Sequence, residues 1–320
     1  MKNVTDPQMF ERSSEGWKVA SDLEQLNNEN ESWFTIDYRD EATVEKTFEL
    51  LQLSPSQEAA LRDPDIRPRL WIGKNQQILL FMRGINLNPN SEPEDMVGLR
   101  IYFDKNRLVC LRNRKLQAIA NVREKIVENS TAYSSLQKVF IDILKALLLR
   151  IETHIAKLAN NLDDIEDKID DGKLVQLEEL ESLRRPSAKL WRYLQPQQDV
   201  LKRLTEVSID WLDDETLNEL KEIEDSMTFN LEELSLVKER CQLVEAHINN
   251  RLSQRVNTNL YLISIITAIF IPISFLTGLL GINVGGMPGV ESNAAFWTVC
   301  GILFVLVILE IIYLKKNKWF

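Results

Sequence analysis

The chain is 320 residues long, with 27% charged and 44% hydrophobic residues and a formal net charge of −10. That length allows about two domains' worth of soluble material, and the hydrophobic share is too ordinary for a polytopic membrane protein. The acidic balance, with no Lys/Arg run before the last few residues, argues against nucleic acid as a partner. Residues 1 to about 30 are polar, which predicts poor order until Trp17–Val19, and the first residues lack the apolar core of a signal peptide. Trp33–Tyr38 reads as a short strand and Ala42–Leu53 as a helix with Val44, Phe48 and Leu51 on one face. Ser54-Pro55-Ser56-Gln57 fits a capping box with proline at the first helical position, so a short helix is expected to about Arg62. Two hairpins follow. Arg69–Ile72 and Gln77–Arg83 are joined by Gly73-Lys74-Asn75; Val97–Phe103 and Arg107–Arg112 are joined by Asp104-Lys105-Asn106. The fold class expected of this part is α+β, with a mostly antiparallel sheet.

Strands stop after about Asn129. Tyr133–Asp170 is helical in pattern and ends near Asp171-Gly172, and Leu174–Thr205 is a second helix interrupted by Pro186 and Pro196, where kinks are expected. The pair reads as an antiparallel helical hairpin. A short link, Trp211–Asp214, leads into the stretch on which the chain is organised. Between Asp213 and Ile271 there is neither proline nor glycine, and apolar residues recur at Leu217, Leu220, Ile223, Met227, Leu231, Leu234, Val237, Cys241, Val244, Ile248, Leu252 and Val256. Their mean step is about 3.5 residues, the period of a helix with a continuous apolar seam. From Leu260 the polar face disappears, and LYLISIITAIFIPISFLTGLLG is long enough to cross a bilayer. Unbroken, one helix from Leu217 to Asn283 would be roughly 100 Å long.

A second apolar stretch, Phe296–Leu314, is followed by Lys315, Lys316 and Lys318. Arg251 and Arg255 precede the first span, and Gly281–Ala295 between the spans carries no Lys or Arg. The positive-inside rule therefore puts both termini in the cytoplasm and the loop outside. The chain divides into an α+β domain (1–130), a helical hairpin (131–212), a stalk (213–259), a first span (260–283), an external loop (284–295), a second span (296–314) and a basic tail (315–320). Within the first span Leu260, Thr267, Ile271, Ser274, Gly278 and Gly281 share one face. Small and hydroxyl residues on one stripe either pack helices closely or line a pore, and both demand an oligomer.

At Thr277–Asn283 the chain resembles the CorA superfamily of divalent-cation channels and transporters, whose signature is Gly-Met-Asn at the end of the first of two C-terminal spans. Here it stands as Gly281-Ile282-Asn283. That substitution, followed by Val284-Gly285-Gly286-Met287-Pro288-Gly289, is more similar to the ZntB zinc-transporter branch than to the magnesium branch. Leu190–Gln197, Val97–Lys115 and the closing Lys318-Trp319-Phe320 carry the same resemblance, which covers the chain from about Trp33. It implies a homopentameric funnel: cytosolic α+β domains, a stalk of long helices that become the inner membrane ring, and an inner-membrane location. It also implies transport of divalent metal, zinc first, with proton-coupled uptake associated with that branch.

The chemistry can be weighed residue by residue. Asn283 offers an amide oxygen to a cation or its bound water, and copies around an axis would make a neutral filter, with the Gly281 carbonyl unobstructed beside it. The competing reading is a flexible turn with an Asn helix cap. Ile282 is stiffer than the family's methionine, which bears on loop geometry and selectivity. Where the magnesium branch carries a glutamate this chain has Gly289, and the loop carboxylate Glu291 either attracts cations or is merely solvated. Thr267, Ser274 and Gly278 are candidate pore-lining residues; Leu260 and Ile271 are candidate apolar constrictions that gate by dewetting.

No His, Cys or carboxylate falls in the first span, although zinc prefers nitrogen and sulfur ligands. The ion must pass largely hydrated, or zinc is not the main substrate. Cys110, Cys241, Cys300, His154 and His247 are too scattered for a structural zinc site within one chain. Glu310 lies five residues before Lys315, close enough to the interface to be hydrated or paired, with proton coupling the sharper alternative. Residues 161–181 hold nine carboxylates against Lys168 and Lys173. Asp163, Asp164, Asp167, Asp170 and Asp171 among them either form a solvated tip or gather cations. No nucleophile–base pair or phosphate loop points to an enzyme, and no resident cofactor is expected. The leading reading is a homopentameric divalent-metal transporter in the lipid bilayer. A magnesium, cobalt or nickel channel, or a membrane-anchored coiled-coil scaffold, are its alternatives.

Overall fold

The computed structural model describes residues 8–20, 22, 23, 26, 29–64, 66–282, 292 and 294–317. They fall into two compact units, Met1–Glu245 and Ala246–Phe320.

The first unit holds one seven-stranded sheet, β1 (Gln8–Ser13), β2 (Gly16–Ala20), β3 (Ser32–Asp37), β4 (Arg69–Ile72), β5 (Ile78–Gly84), β6 (Val97–Phe103) and β7 (Arg107–Arg112), in the order β2-β1-β3-β7-β6-β5-β4. Every pairing is antiparallel except β3 with β7, where Trp33 sits opposite Leu108 and Ile36 opposite Leu111. Both expected hairpins form, and the sheet is mostly antiparallel as the pattern required.

The strands alternate between two buried faces. On one, Phe34, Ile36, Leu79, Phe81, Val109 and Leu111 pack with Val44, Phe48 and Leu51 of α1 (Glu41–Leu51) and Leu61 of α2 (Pro55–Arg62). The Ser54–Gln57 capping box is present, with both reciprocal bonds made. On the other, Phe103 meets Phe140 and the edge of Trp211, each with centroids 4.7 Å apart. Helices therefore cover both faces of the sheet.

Two elements depart from the sequence expectation. Residues 8–20, expected to be poorly ordered up to Trp17, form the β1–β2 hairpin, held where the Trp17 indole donates to the Tyr133 carbonyl (2.9 Å) and Phe10 stacks on Trp33 (5.5 Å); the same expectation for residues 1–7 lies outside the described residues. A few buried residues (Met9, Phe10, Trp17) among polar neighbours suffice because they cap an existing core. A helix also stands where none was assigned, α3 (Gln117–Glu128), which buries Ala118, Ile119, Val122 and Ile126.

The long helices follow. α4 (Leu136–Asp170) starts with the Ser135 hydroxyl accepting from the Lys138 N–H (3.3 Å) and ends at Asp171-Gly172, where Gly172 takes φ 75°. α5 (Leu177–Glu206) runs through both Pro186 and Pro196 as one element rather than as interrupted pieces. α6 (Asp214–Leu280) is a single 67-residue helix, about 100 Å at 1.5 Å per residue, that continues through Pro272. Its seam residues Leu220, Ile223, Met227, Leu231, Leu234, Val237, Cys241 and Val244 are buried. Ile248 is half-buried, while Leu252 and Val256 are exposed.

Polar ties fix α6 within the first unit. Lys138 of α4 reaches Glu215 (2.6 Å) and Glu219 (3.1 Å), Gln198 of α5 donates to Thr228 (3.1 Å), and the Lys238 ammonium lies 4.2 Å from the Trp191 ring. In the second unit the last part of α6 is joined by α7 (Ala295–Lys316). Both helices are long and apolar enough to cross a membrane.

Candidate functional site: the open face of the long helix

The membrane stretch of α6 has two faces. Ile265 is buried, and Ile269, Pro272, Ile273 and Leu276 are half-buried along one side. At 3.6 residues per turn, the stripe Leu260, Thr267, Ile271, Ser274, Gly278 and Gly281 lies about 180° away. Every residue of that stripe is exposed, Ile271 at 61%. A Cβ built at Gly278 would meet nothing within 4 Å. The six candidates are thus brought onto one open face, directed away from the side of α6 that the chain itself covers.

The hydroxyls on and beside the stripe have a defined direction. Ser264 donates to the Leu260 carbonyl (2.8 Å), Thr267 to Ile263 (2.7 Å) and Thr277 to Ile273 (3.0 Å). With its proton turned back onto the helix, each hydroxyl offers oxygen lone pairs outward. The helix ends where the Gly281 N–H donates to Thr277 (2.9 Å) and Gly278 (3.2 Å). Ile282 is exposed, whereas Asn283 and Glu291 lie outside the described residues.

The sequence reading missed how far this face extends. Ser264 fills the seven-residue step between Leu260 and Thr267, so the stripe has a regular four–three spacing. Counted backward in sequence, the same spacing passes Asn257, Ser253, Asn250 and Ala246, in a stretch where residues 249–264 are exposed on every side, and then Leu243, Glu239, Leu236, Glu232 and Phe229, exposed opposite the buried seam. Phe229, Leu236 and Leu243 are large apolar residues one heptad apart, and Leu243 is 70% exposed. The available signal was this second heptad row, hidden because the buried seam beside it is the denser apolar pattern.

Among the described residues no group of three or more His, Cys, Asp or Glu side chains is arranged to hold a metal ion. The acidic tip is partly consumed by structure. Arg240 of α6 bridges Asp163 (2.5 Å) and Glu166 (2.5 Å), and these hydrogen bonds hold its guanidinium charged, well above the usual arginine range. Asp171 pairs with Lys173 (2.9 Å); Asp164, Asp167 and Asp170 are exposed without an ion pair among the described residues. His247 is exposed on α6.

Glu310 stands within α7. It lies on the half-buried line of α7 with Leu303, Leu306, Val307 and buried Leu314. Its Oε2 is buried without a hydrogen-bond partner among the described residues.

A long amphipathic helix that turns wholly apolar, leaves one heptad face uncovered and is followed by a second apolar helix defines a membrane protein whose α/β domain is carried on its own span. Residues 28–316 match the family described as CorA-like Mg2+ transporter protein, and the chain belongs to that family. It is 36% identical over 255 residues to the divalent cation transporter CmaX of Pseudomonas aeruginosa, covering 79% of this chain and 76% of the relative. It is 29% identical over 295 residues to the zinc transport protein ZntB of Pectobacterium atrosepticum, covering 92% and 89%. The solved full-length CmaX structure superposes with a TM-score of 0.85 at 30% identity, covering all of both chains. These relatives are transporters, not enzymes, and the resemblance read at Gly281-Ile282-Asn283 points to the same superfamily and to its ZntB-like side.

Proposed function

We propose that this protein moves divalent metal cations across the inner membrane, zinc first, along a central path formed by the α6 helices of a homopentamer. Both termini are cytoplasmic in this reading, and uptake is coupled to protons. The observation that carries it is the open face of the membrane stretch from Leu260 to Gly281, rich in hydroxyls and small residues, opposite the side that Ile265, Ile269, Pro272, Ile273 and Leu276 cover. A plain anchor has no use for hydroxyls aligned on one face of its span, nor for apolar residues exposed at heptad spacing below it. The zinc assignment is supported by the likeness to ZntB. With no nitrogen or sulfur ligand on the face, the ion travels with most of its water shell, hydrogen-bonded to Thr267 and Ser274 and meeting amide oxygens at Asn283. The same feature favours a range that includes magnesium, cobalt and nickel. Uptake of radioactive zinc into proteoliposomes, with Asn283→Ala as comparison and the other ions as competitors, tests this. Wild-type flux that falls sharply in Asn283→Ala is expected; equal flux would remove the filter, and absence of flux for all four ions would remove the function.

A further inference from the structure

We propose that the cleft at one end of the sheet, where β5, β6 and β7 meet α5, binds a phosphate dianion, free or carried as a monoester. The inference is independent of the transport reading.

The cleft has a volume of about 310 Å³, and Tyr38, Arg83, Asn113, Arg114 and Tyr193 supply its polar lining together with Asp95. In a chain of net charge −10 it collects cations. The Arg83 fork is held rigidly: Nε donates to the Ile66 carbonyl (2.7 Å), Nη1 donates to the Met96 carbonyl (3.2 Å), and the guanidinium sits 4.5 Å from the Tyr193 ring. That leaves Nη2 without a partner among the described residues, on a group already ordered to receive an oxygen.

Arg114 is exposed at the mouth, its backbone fixed by Arg112 Nη1 donating to its carbonyl (3.2 Å) while its guanidinium is free of ion pairs among the described residues. The Tyr38 hydroxyl accepts from Asn113 (3.3 Å), so its proton is available to a ligand. Beneath the Tyr38 ring, at 4.2 Å, lies Arg100, which is 0% exposed and has two donors, Nε and Nη1, without hydrogen bonds. The single acid of the lining does not cancel this charge, because Asp95 is engaged by Lys189.

Two arginines lining one cleft beside a buried third call for a dianion rather than a single carboxylate, and a phosphate monoester carries about −1.5 to −2 charges with three acceptor oxygens. Tyr38 is the cleft's aromatic contact for a flat group attached to it, since Tyr193 is taken by Arg83 and Arg192. The phosphate could belong to a nucleotide or to inorganic phosphate, and the measurement separates them.

The test is calorimetric titration of the full-length protein in detergent with AMP, inorganic phosphate and adenosine. Binding of AMP, displaced by phosphate and not matched by adenosine, is expected and assigns a nucleotide. Phosphate binding as tightly as AMP keeps the site and assigns the free ion. Arg114→Ala should weaken the phosphate-bearing ligand about tenfold, and Tyr38→Phe should also weaken it while leaving the melting temperature in place. No heat from either AMP or phosphate overturns the proposal, as does binding unchanged in both variants or binding of adenosine as tight as that of AMP.

Discussion

Thr267 and Thr277 make the same backward hydrogen bond, but only Thr267 stands on the stripe with Leu260, Ile271 and Ser274. The oxygen matters only if water-clad ions pass it. Thr267→Val keeps shape and removes that acceptor, so zinc uptake should fall about fivefold, the value of roughly one hydrogen bond. Thr277→Val should leave flux unchanged. Equal effects of the two substitutions in the proteoliposome assay would show that the stripe does not face the ion. Away from the membrane, burial lowers the pKa of His154, the first cause, with Lys157 acting the same way and Glu94 opposing it. Its Nε2 is buried without a partner. The depressed value means that the unfolded chain takes up a proton more readily than the folded one. The contribution of His154 is therefore intact above the ordinary value of 6.5 and is lost as pH falls through the folded value. Thermal melts between about pH 7 and pH 5 should show the wild type losing more stability than His154→Gln; parallel curves would contradict it.

At the scale of elements, the same helix carries two rows of leucine with opposite fates. Leu234 is 0% exposed in the seam against α4 and α5, so Leu234→Ala should cost about 2–5 kcal/mol, read as a lowered melting temperature. A drop within about 0.5 kcal/mol would mean that the seam is not the core it looks to be. The seam was readable because a period of about 3.5 over many turns has no other structural use. The capping box at Ser54 and the hairpin around Asp104–Asn106 were readable because each is a local hydrogen-bonding device, complete within a few residues. What was not readable depends on the rest of the fold. β1 and β2 are polar strands that exist because Trp17 and Phe10 find Tyr133 and Trp33 far along the chain. α3 begins without a side-chain cap, and its short apolar face is decided by docking on α4. Arg240 likewise turns Asp163 and Glu166 from a suspected cation attractor into a clamp between helices, a pairing no spacing rule gives.

At the scale of the whole molecule the open question is what covers the second leucine row. Phe229, Leu236 and Leu243 stay exposed in a single chain although they repeat every seven residues, and a strict heptad repeat is the pattern by which helices wind around copies of themselves. The apolar spans restrict which copies can meet. On the proposed topology all chains enter the bilayer from one side, so their α6 helices would run parallel, and identical heptads would then fall at identical heights. Each leucine would meet its own counterpart, and Glu232 and Glu239 would come level with theirs between the apolar layers. Like charges at one level oppose tight closure, which suits the path proposed for a hydrated ion. The double substitution Leu236→Asn and Leu243→Asn removes two of the three apolar layers without touching the buried seam. Multi-angle light scattering in detergent should then report a loss of oligomer mass, while the melting temperature changes far less than in Leu234→Ala. An unchanged mass would mean that the row does not face other copies. If the proposed path is enclosed by several α6 helices, proteoliposomes carrying the double variant should lose zinc uptake together with the oligomer, because such a path cannot survive their separation.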